Sequence, residues 1–375
     1  MAELWQNDTM IIDAHVHYTP PDLRDRLPQM YEPYWELLLN SPGSIQGWVS
    51  AETMLADMAS GGVDQAVLVG EYFQQHANCV ARNNAVLELM ARHPERIAVL
   101  AIVNPLAGDK AVREVERCLD AGMIGVGELN FYAQNFDLDT PAFRDICHLC
   151  TERGVPVNLH GSEPVGGYYL GKSTTPLHVY YELAARFPRL KLVYAHWGGG
   201  LLFYELMPRT RRALSNVRYD TAASPLLYPT GRIFQTALTA VEPHKIIYGS
   251  DYPLKIYPRR MDAPNFGMFL DAIRNAIPDE DVQQQIFGEN WKAFVEGHPQ
   301  HHERGKASAD SEITGMMAVR TAVNVWPETA EVFGRYDIQT QTPAWEPIVQ
   351  AAAVHGLSAV QVQMLLDELR EICNA

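Results

Sequence analysis

Short runs rich in Val, Ile and Leu recur along the chain and alternate with segments of helical periodicity. Each apolar run ends in a polar residue or a turn, which is typical of buried parallel strands. The runs predict eight strands, at residues 10–16, 64–70, 97–103, 123–129, 155–160, 191–196, 216–220 and 245–250. The periodic segments predict helices at 77–93, 111–121, 141–153, 176–187 and 231–241. Alternating β and α units of this number predict an α/β fold, a distorted (β/α)8 barrel of the TIM type.

The pattern departs from this alternation in two places. An insertion at about residues 18–50, rich in proline and containing Trp35 and Trp48, separates the first two strands and is expected to fold over the barrel mouth. After residue 296 the stretch 297–311 is polar and aperiodic, which predicts a linker. Residues 312–375 predict a small all-α domain with helices at 321–336, 345–355 and 358–373.

Composition narrows the class of protein. The 375 residues are 47% hydrophobic and carry a formal charge of −15, which argues against binding to a nucleic-acid backbone. We find no apolar stretch near the ~20 residues of a membrane span and no N-terminal signal pattern. Five cysteines without framework spacing fit reduced thiols. The expectation is a cytoplasmic, homo-oligomeric protein with a small-molecule partner and no contact with nucleic acid or membrane.

Candidate chemistry lies where the predicted strands end. His15 and His17 follow the first apolar run, and side chains at i and i+2 of a strand share a face, so both imidazoles project together. His160, His196 and Asp251 end the fifth, sixth and eighth strands. An isolated His-x-His is also common on a solvent-facing strand. Four histidines at equivalent ends of a barrel instead favour a metal site at its mouth.

The order of these motifs resembles the amidohydrolase superfamily, specifically its amidohydrolase-related metal-dependent hydrolases. The matching features are the N-terminal His-x-His, Leu159-His160, Ala195-His196-Trp197 with three glycines, and Gly249-Ser250-Asp251. The resemblance spans about residues 10–296. It implies a divalent metal bound by His15, His17, His160 and Asp251, with His196 as a further ligand or a polarising group. Members of this branch hydrolyse amides or lactones, hydrate double bonds, or remove carboxylates without oxidation.

The donor types agree with this resemblance. Imidazoles with one carboxylate favour zinc, and manganese is the alternative where oxygen ligands are more numerous. One ion per chain is favoured. Glu128, at the end of the fourth strand, either holds a second ion or makes a hydrogen bond to a ligand histidine, and the second alternative is preferred.

The leading functional hypothesis is hydrolysis of a small amide, ester or lactone by a metal-activated water. Asp251 would accept the water proton and pass it to the leaving group, while His196 stabilises the oxyanion. The first alternative is non-oxidative decarboxylation or hydration of a carboxylated aromatic or dienoic substrate, in which His196 or Asp251 moves a proton to carbon. The second is a metal-stabilised scaffold without catalysis.

Aromatic and cationic residues in the loops after the strands are candidates for substrate binding. They are Tyr132, Lys172, Tyr228 and Arg259, which would suit a planar carboxylate. The alternative for each is an ordinary surface or loop-anchoring role.

The C-terminal segment resembles the small helical domain associated with hybrid-cluster proteins and iron–sulfur repair factors. That domain carries a cysteine pair in a loop that corresponds here to residues 339–343, which contain no cysteine. An interaction or oligomerisation role is therefore expected rather than a redox role.

Overall fold

All eight predicted strands are present in the computed structural model, which describes residues 10–42, 44–297, 313–315, 317–340 and 346–373. Their bounds are β1 Ile12–His17, β2 Gln65–Val69, β3 Ile97–Val99, β4 Val126–Leu129, β5 Pro156–Leu159, β6 Lys191–Tyr194, β7 Val217–Asp220 and β8 Ile246–Ile247. The strand β8 is much shorter than predicted. Its continuation leaves the ladder because the Tyr248 amide donates to Ile286 O at 3.0 Å instead.

The strands are parallel and close into a barrel. One sheet has the order β1-β2-β3 and the other runs from β4 to β8. Isolated parallel bridges join the two sheets, one between Ala101 and Val126 and one between Val16 and Tyr252. The barrel is therefore distorted at both seams, as the sequence predicts.

Helices follow the strands around the outside of the barrel. They are Ala51–Gly61, His76–Arg92, Asp109–Asp120, Pro141–Arg153, Leu177–Arg186, Pro208–Ala213, Thr230–Ala240 and Gly267–Ala276. Shorter helices are Ser224–Leu227 and Glu280–Gln284, and the insertion contains Pro21–Arg26 and Pro33–Asn40. The segment Ala195–Gly198 is a turn in which His196 and Trp197 have left-handed backbone conformations. This unit also contains 3₁₀-helices at Leu27–Gln29, Pro105–Ala107, Leu201–Leu206 and Pro243–Lys245. A π-turn at Gln285–Glu289 and the helix Asn290–Glu296 complete it. Within the described residues, no helix is long and apolar enough to cross a membrane.

Two hydrophobic clusters lie on opposite faces of the strands. Leu68 of β2 packs in the larger cluster with helix residues such as Val86, so this cluster lies between strands and helices. Val67 and Val69 pack with Trp291 in the smaller cluster, which draws on β1, β2, β3, β6 and β8. Because alternate side chains of a strand point to opposite faces, the smaller cluster fills the barrel interior.

The strand β1 changes its side-chain phase partway along. Ile12 and Ala14 belong to the interior cluster, yet Val16 belongs to the outer one. Simple alternation would place all three on one face, and the pairing register with β2 shifts within this stretch, as at a β-bulge. The change turns His15 and His17 toward the interior.

The strand β4 has a similar irregularity. Val126 and Leu129 both pack in the outer cluster although they are three residues apart, and the register with β5 shifts between them. Gly127 adopts a φ of +137° there, and a Cβ at this position would lie 2.6 Å from Asn158 O, so only glycine fits. The irregularity directs Glu128 inward.

The chain divides into two compact units, residues 1–299 and 300–375. The second contains the helices Val319–Val325, Thr329–Arg335, Ile348–Val354 and Ala359–Cys373, which share one hydrophobic cluster. The single helix predicted at 321–336 is wrong: the chain is interrupted at Trp326 and Pro327, because proline disfavours helical backbone in the residue before it. The predicted linker after Gly297 and most of the loop 339–343 lie outside the described residues.

Candidate metal centre

Six buried side chains converge at the carboxyl ends of five strands. They are His15 and His17 of β1, Glu128 of β4, His160 after β5, His196 after β6 and Asp251 after β8, and each is at most 7% exposed. All six were predicted as site residues. They form three overlapping groups whose nitrogen and oxygen atoms lie within 4.8 Å of one another. The structure therefore brings every predicted ligand to one place.

The first part of the site surrounds the His-x-His pair. His15 Nε2 and His17 Nε2 are 3.4 Å apart, and each is 3.7 Å from Glu128 Oε2. Asp251 Oδ1 is 3.3 Å from His17 Nε2 and 3.9 Å from His15 Nε2. Neighbouring ligands of a tetrahedral centre with bonds of ~2.0–2.1 Å lie roughly 3.4 Å apart. His15, His17 and Glu128 therefore form one group with spacings close to these, and Asp251 lies beside its two histidine nitrogens.

The second part lies on the other side of Glu128. Glu128 Oε1 is 3.0 Å from His160 Nδ1 and 3.5 Å from His196 Nε2, and these two nitrogens are 3.2 Å apart. One carboxylate therefore faces two pairs of histidines, one pair with each oxygen. The hydrogen bond to a candidate ligand that the sequence suggested for Glu128 is present, together with a position between two groups of donors.

The outer hydrogen bonds of these histidines indicate their neutral tautomers. His196 Nδ1 donates to Ala222 O at 2.9 Å, and His160 Nε2 donates to Gly171 O at 3.1 Å, because a carbonyl oxygen only accepts. In neutral rings the nitrogens without hydrogen are then His196 Nε2 and His160 Nδ1, the two that face Glu128. The lone pairs of these two nitrogens and the negative charge of Glu128 repel one another unless a proton or a metal cation lies between them.

The carboxylates of the site favour positive charge between the side chains. Burial lowers the pKa of His15, but the nearby carboxylates Asp220 and Glu128 raise it to about 10. Burial also lowers the pKa of His196, which the hydrogen bond to Glu128 and the charge of Asp251 raise to about 9. Burial acts to raise the pKa of Asp251, but the surrounding histidines lower it to about 2. A divalent cation would satisfy the same field by displacing protons.

Two buried atoms without a hydrogen-bond partner bear on whether a metal ion fits the site. Glu128 Oε2 and His17 Nδ1 are buried and have no hydrogen-bond partner. An unpaired buried carboxylate oxygen is costly, and coordination to an ion would remove that cost. His15 Nε2 and His17 Nε2 are each 3.7 Å from Glu128 Oε2, and Asp251 Oδ1 is 3.3 Å from His17 Nε2, so the donor types are those of a divalent metal site.

Two candidate residues have an unusual backbone conformation. His196 has a φ of +57° and Asp251 a φ of +67°, in the left-handed region that residues other than glycine seldom occupy. Such strain is found mainly at functional sites, where the surrounding structure enforces it. Here the Asp251 amide donates to His15 O at 3.0 Å and the His196 amide donates to Asp220 Oδ1 at 2.9 Å.

Aromatic side chains from the insertion cover one side of the site. The Trp35 ring lies 5.5 Å from the His17 ring and 5.4 Å from the Tyr72 ring, and Tyr72 in turn lies 5.6 Å from His160. A narrow cavity, with room for about one water, lies beside His17 between the insertion and the barrel, with Trp35, Leu39 and Trp48 in its walls. The prediction that the insertion folds over the barrel mouth is met here.

The four predicted substrate residues do not line this cavity. Lys172 Nζ is paired with Glu163 at 2.9 Å, Arg259 is exposed, and Tyr132 is 52% exposed. Tyr228 is partly buried against the outer cluster. Their substrate role stays a prediction, and the cavity beside His17 offers it no support.

Two residues that support the site were not assigned a role from the sequence. Asp220 ends the seventh predicted strand, where the sequence does not decide between orienting a ligand and capping a turn. It accepts from His15 Nδ1 at 2.9 Å and from the His196 amide. Its position at the end of β7 was the available signal. Trp35 gave no signal beyond lying in an aromatic, proline-rich insertion, because its approach to His17 is a long-range contact.

Comparison with known proteins agrees with the fold. The amidohydrolase family model matches residues 12–295. A search of curated proteins gave no significant match.

Similar solved structures include 5-carboxyvanillate decarboxylase from Sphingomonas paucimobilis, with a TM-score of 0.62 and 18% identity over 76% of this chain and 99% of that one. The enzyme of that name from Novosphingobium aromaticivorans, solved with manganese and 4-hydroxy-3-methoxy-5-nitrobenzoic acid, has a TM-score of 0.61 and 16% identity over 76% and 96%. The 2,6-dihydroxybenzoate decarboxylase from Rhizobium has a TM-score of 0.56 and 18% identity over 76% and 98%.

The resemblance stated from the motifs is thus confirmed for the barrel, and the resemblance of the C-terminal domain stays a prediction. With more than half of its length matched by the family model, this chain belongs to the amidohydrolase family.

Proposed function

We propose that this protein is a metal-dependent, non-oxidative decarboxylase of aromatic carboxylates, the first alternative drawn from the sequence. This proposal depends mainly on one observation, the aromatic wall beside the six candidate ligand residues (the metal-ligand group). In this wall Trp35 and Tyr72 pack against His17 and His160. A planar ring fits against such a wall. The similarity of the barrel to solved decarboxylases of hydroxylated benzoates lends support.

His15, His17, Asp251 and Oε2 of Glu128 would hold the metal ion. The sequence predicted His160 in this set and preferred for Glu128 a hydrogen bond to a ligand histidine. In the proposal Glu128 takes the place of His160, whose Nδ1 lies 3.0 Å from the other oxygen of Glu128. Two nitrogen and two oxygen donors accept either zinc, which the sequence favoured, or manganese. We propose manganese, because a similar solved decarboxylase contains it. When bound, the cation would polarise the carboxylate and a neighbouring hydroxyl oxygen of the substrate and so stabilise negative charge there.

Decarboxylation requires one proton transfer to carbon. A proton adds to the ring carbon that bears the carboxylate, the bond from that carbon to the carboxylate breaks, its electron pair returns to the ring, and carbon dioxide leaves. His196 and Asp251 are the groups that we assign to this transfer, since both lie in the metal-ligand group and Asp251 Oδ2 is 4.0 Å from His196 Nδ1. The insertion would exclude water from the ring carbon.

Hydrolysis of an amide, ester or lactone is the second candidate, and one observation favours it. Glu128 lies between two histidine pairs, as a carboxylate shared by two ions would. In this alternative Asp251 takes the proton of the attacking water and gives it to the leaving group, while His196 stabilises the oxyanion. The preferred stoichiometry of one ion per chain belongs to the decarboxylase proposal.

The test follows the products of both candidate reactions, decarboxylation and hydrolysis. Manganese-loaded protein is given 2-hydroxybenzoate, 2,6-dihydroxybenzoate and 5-carboxyvanillate, and carbon dioxide release is followed beside a panel of lactones, esters and amides. We expect release from at least one benzoate and its loss in Asp251→Asn, with metal content measured in both proteins. Hydrolysis without release, together with two ions per chain, would establish the second candidate. No turnover in either panel would favour the scaffold hypothesis.

Assembly as a homo-oligomer, as expected from the sequence, belongs to the same proposal. Light scattering of the purified protein tests it.

A further inference from the structure

We propose that residues 163–172 form a lid over the metal-ligand group, and that this lid opens as one body to admit the metal ion and the substrate. The lid is part of the loop between β5 and the helix Leu177–Arg186. Passage of the metal ion rests on the candidate metal centre alone, and passage of an aromatic carboxylate rests on the proposed function.

The metal-ligand group is closed in this structure. Each of its six side chains is at most 7% exposed, and the cavity beside His17 has room for about one water. A benzoate is much larger than a water molecule, so part of the cover has to move before it can reach these side chains. Two segments lie against the group: the insertion, whose Trp35 packs against His17, and the lid, whose Gly171 O accepts from His160 Nε2 at 3.1 Å.

The lid is a compact body held together by its own residues. Lys172 Nζ is paired with Glu163 Oε1 at 2.9 Å, and Tyr169 OH donates to the other oxygen of Glu163 at 2.9 Å. The ends of the loop are close together, because the Ser173 amide donates to Ser162 Oγ at 3.0 Å. A short surface loop with joined ends and internal contacts is an Ω-loop. A rotation about Ser162 and Ser173 would keep these internal contacts, so the lid can move as one unit.

The lid has few attachments to the rest of the barrel unit. Beyond Ser162 and Ser173, its hydrogen bond to other described residues is the one from His160 Nε2 to Gly171 O. None of its residues belongs to a hydrophobic cluster of the described chain. Val165 and Tyr168, near its tip, are each 81% exposed. Segments with so few buried contacts open at a low cost in free energy.

The insertion is attached more firmly than the lid. Glu32 of the insertion accepts from two backbone amides and from Asn78 Nδ2 at 2.8 Å. Leu23 and Trp35 pack with Phe73 in a hydrophobic cluster. Opening at the lid therefore breaks fewer contacts than opening at the insertion.

The position of the lid also affects a residue of the metal-ligand group. When Gly171 moves away, His160 Nε2 loses the carbonyl oxygen to which it donates, and closure restores this hydrogen bond. The same bond fixes the tautomer in which His160 Nδ1 faces Glu128 without a hydrogen. Closure of the lid therefore completes the arrangement of the group.

Removal of the metal ion tests this inference without a measurement of turnover. Manganese-loaded protein is mixed with a chelator in increasing excess until the rate of metal release no longer rises. The variants are Lys172→Met, which removes the cation that pairs within the lid, and a lidless chain in which two glycines replace residues 163–172. Val165→Ala, at the exposed tip of the lid, is the matched control. Hydrogen exchange is followed in the lid and in the insertion by mass spectrometry.

We expect Lys172→Met to release the metal about 3- to 10-fold faster than wild type, which is the range of one lost hydrogen bond, and the lidless chain to release it faster still. Hydrogen exchange in Lys172→Met should be faster in the lid and unchanged in the insertion. Val165→Ala should match wild type in both measurements. Melting temperature and manganese content before extraction show whether each variant is folded and loaded.

Release from the lidless chain at the wild-type rate would overturn the inference. If that chain does not fold, release from Lys172→Met at the wild-type rate decides in the same way. Faster release from Glu32→Ala than from the lid variants would assign the opening to the insertion and would overturn the inference too.

These outcomes are separate from those for the proposed function. If the inference is overturned while benzoates release carbon dioxide, the proposed function stands alone. Faster metal release from the lid variants without turnover of any benzoate would support the lid and contradict the proposed function. A wild type that binds no metal would contradict both.

Discussion

Asp220 accepts a hydrogen bond from His15 Nδ1 at 2.9 Å, and both side chains are fully buried. The other oxygen of Asp220 accepts from the amides of His196 and Ala222. One carboxylate at the end of β7 therefore sets the tautomer of a ligand from β1 and the backbone position of a histidine after β6. Partners of this kind orient metal ligands without touching the metal.

Asp220→Asn should weaken metal binding while leaving the ligands in place. The amide can bond only one of its two sets of partners with the right polarity, so we expect a loss of about 10- to 100-fold in metal affinity. Competition with a chelator of known affinity measures it. The exposed Asp262→Asn serves as the matched control and should behave as wild type. Unchanged affinity in Asp220→Asn would remove the orienting role.

Replacement of both His15 and His17 by alanine should abolish metal binding. These two residues supply both nitrogen donors of the first part of the site. Elemental mass spectrometry of protein purified without added metal should find about one equivalent of manganese or zinc in wild type and none in the double variant. Replacement of the exposed His355 by alanine controls for adventitious binding. About two equivalents in wild type would mean that Glu128 holds a second ion.

The insertion should depend on Glu32 for its position. Glu32 is 1% exposed and accepts from the amides of Gln74 and Gln75 at 2.6 and 2.9 Å, at the start of the helix His76–Arg92. Glu32→Ala leaves those amides unpaired, so we expect faster hydrogen exchange in the insertion and slower carbon dioxide release from the benzoates, with little change in metal content. Asp25→Asn, an exposed change in the insertion, should show neither effect.

Lys245 should make stability depend on pH in the alkaline range. Burial lowers the pKa of Lys245 to about 8, although its Nζ is 3.0 Å from Glu205. The unfolded chain keeps this proton up to a pKa of about 10.4, so between the two values it binds more protons than the folded protein, and folded stability rises with pH.

The comparison of wild type with Lys245→Met isolates this group. The free energy of unfolding of wild type relative to the variant should increase by up to about 3 kcal/mol from pH 8 to pH 10.5, as measured by urea denaturation. Lys110→Met, at an exposed position, should give no such increase. A flat difference across this range would mean that the Lys245 pKa is not lowered.

The strands and the candidate ligand residues could be predicted because each gives a local signal in the sequence. An apolar run followed by a histidine, as at Leu159 and His160, indicates both a buried strand and the side chain at its end. The parallel barrel then brings all such ends to one face. The metal-ligand group therefore followed from local patterns together with one topological rule.

The irregularities were not predictable in the same way. The shift in β1 is a property of its pairing with β2, and nothing in the residues 12–17 alone reveals it. The contact of Trp35 with His17 depends on how the insertion folds back. Lys172 was assigned to substrate by residue type, but Glu163 takes up its charge, and that pairing depends on the fold of their loop.

The bulge in β1 has a consequence for how this chain tolerates insertions and deletions. Two residues before the bulge and two after it use the same face, because one extra residue is accommodated between them. Loss of one residue from the bulge, for example Ala14, would leave a regular strand in which Ile12, His15 and His17 still share one face and the pairing with β2 is kept. A related chain that is one residue shorter in this segment can therefore present the same two histidines.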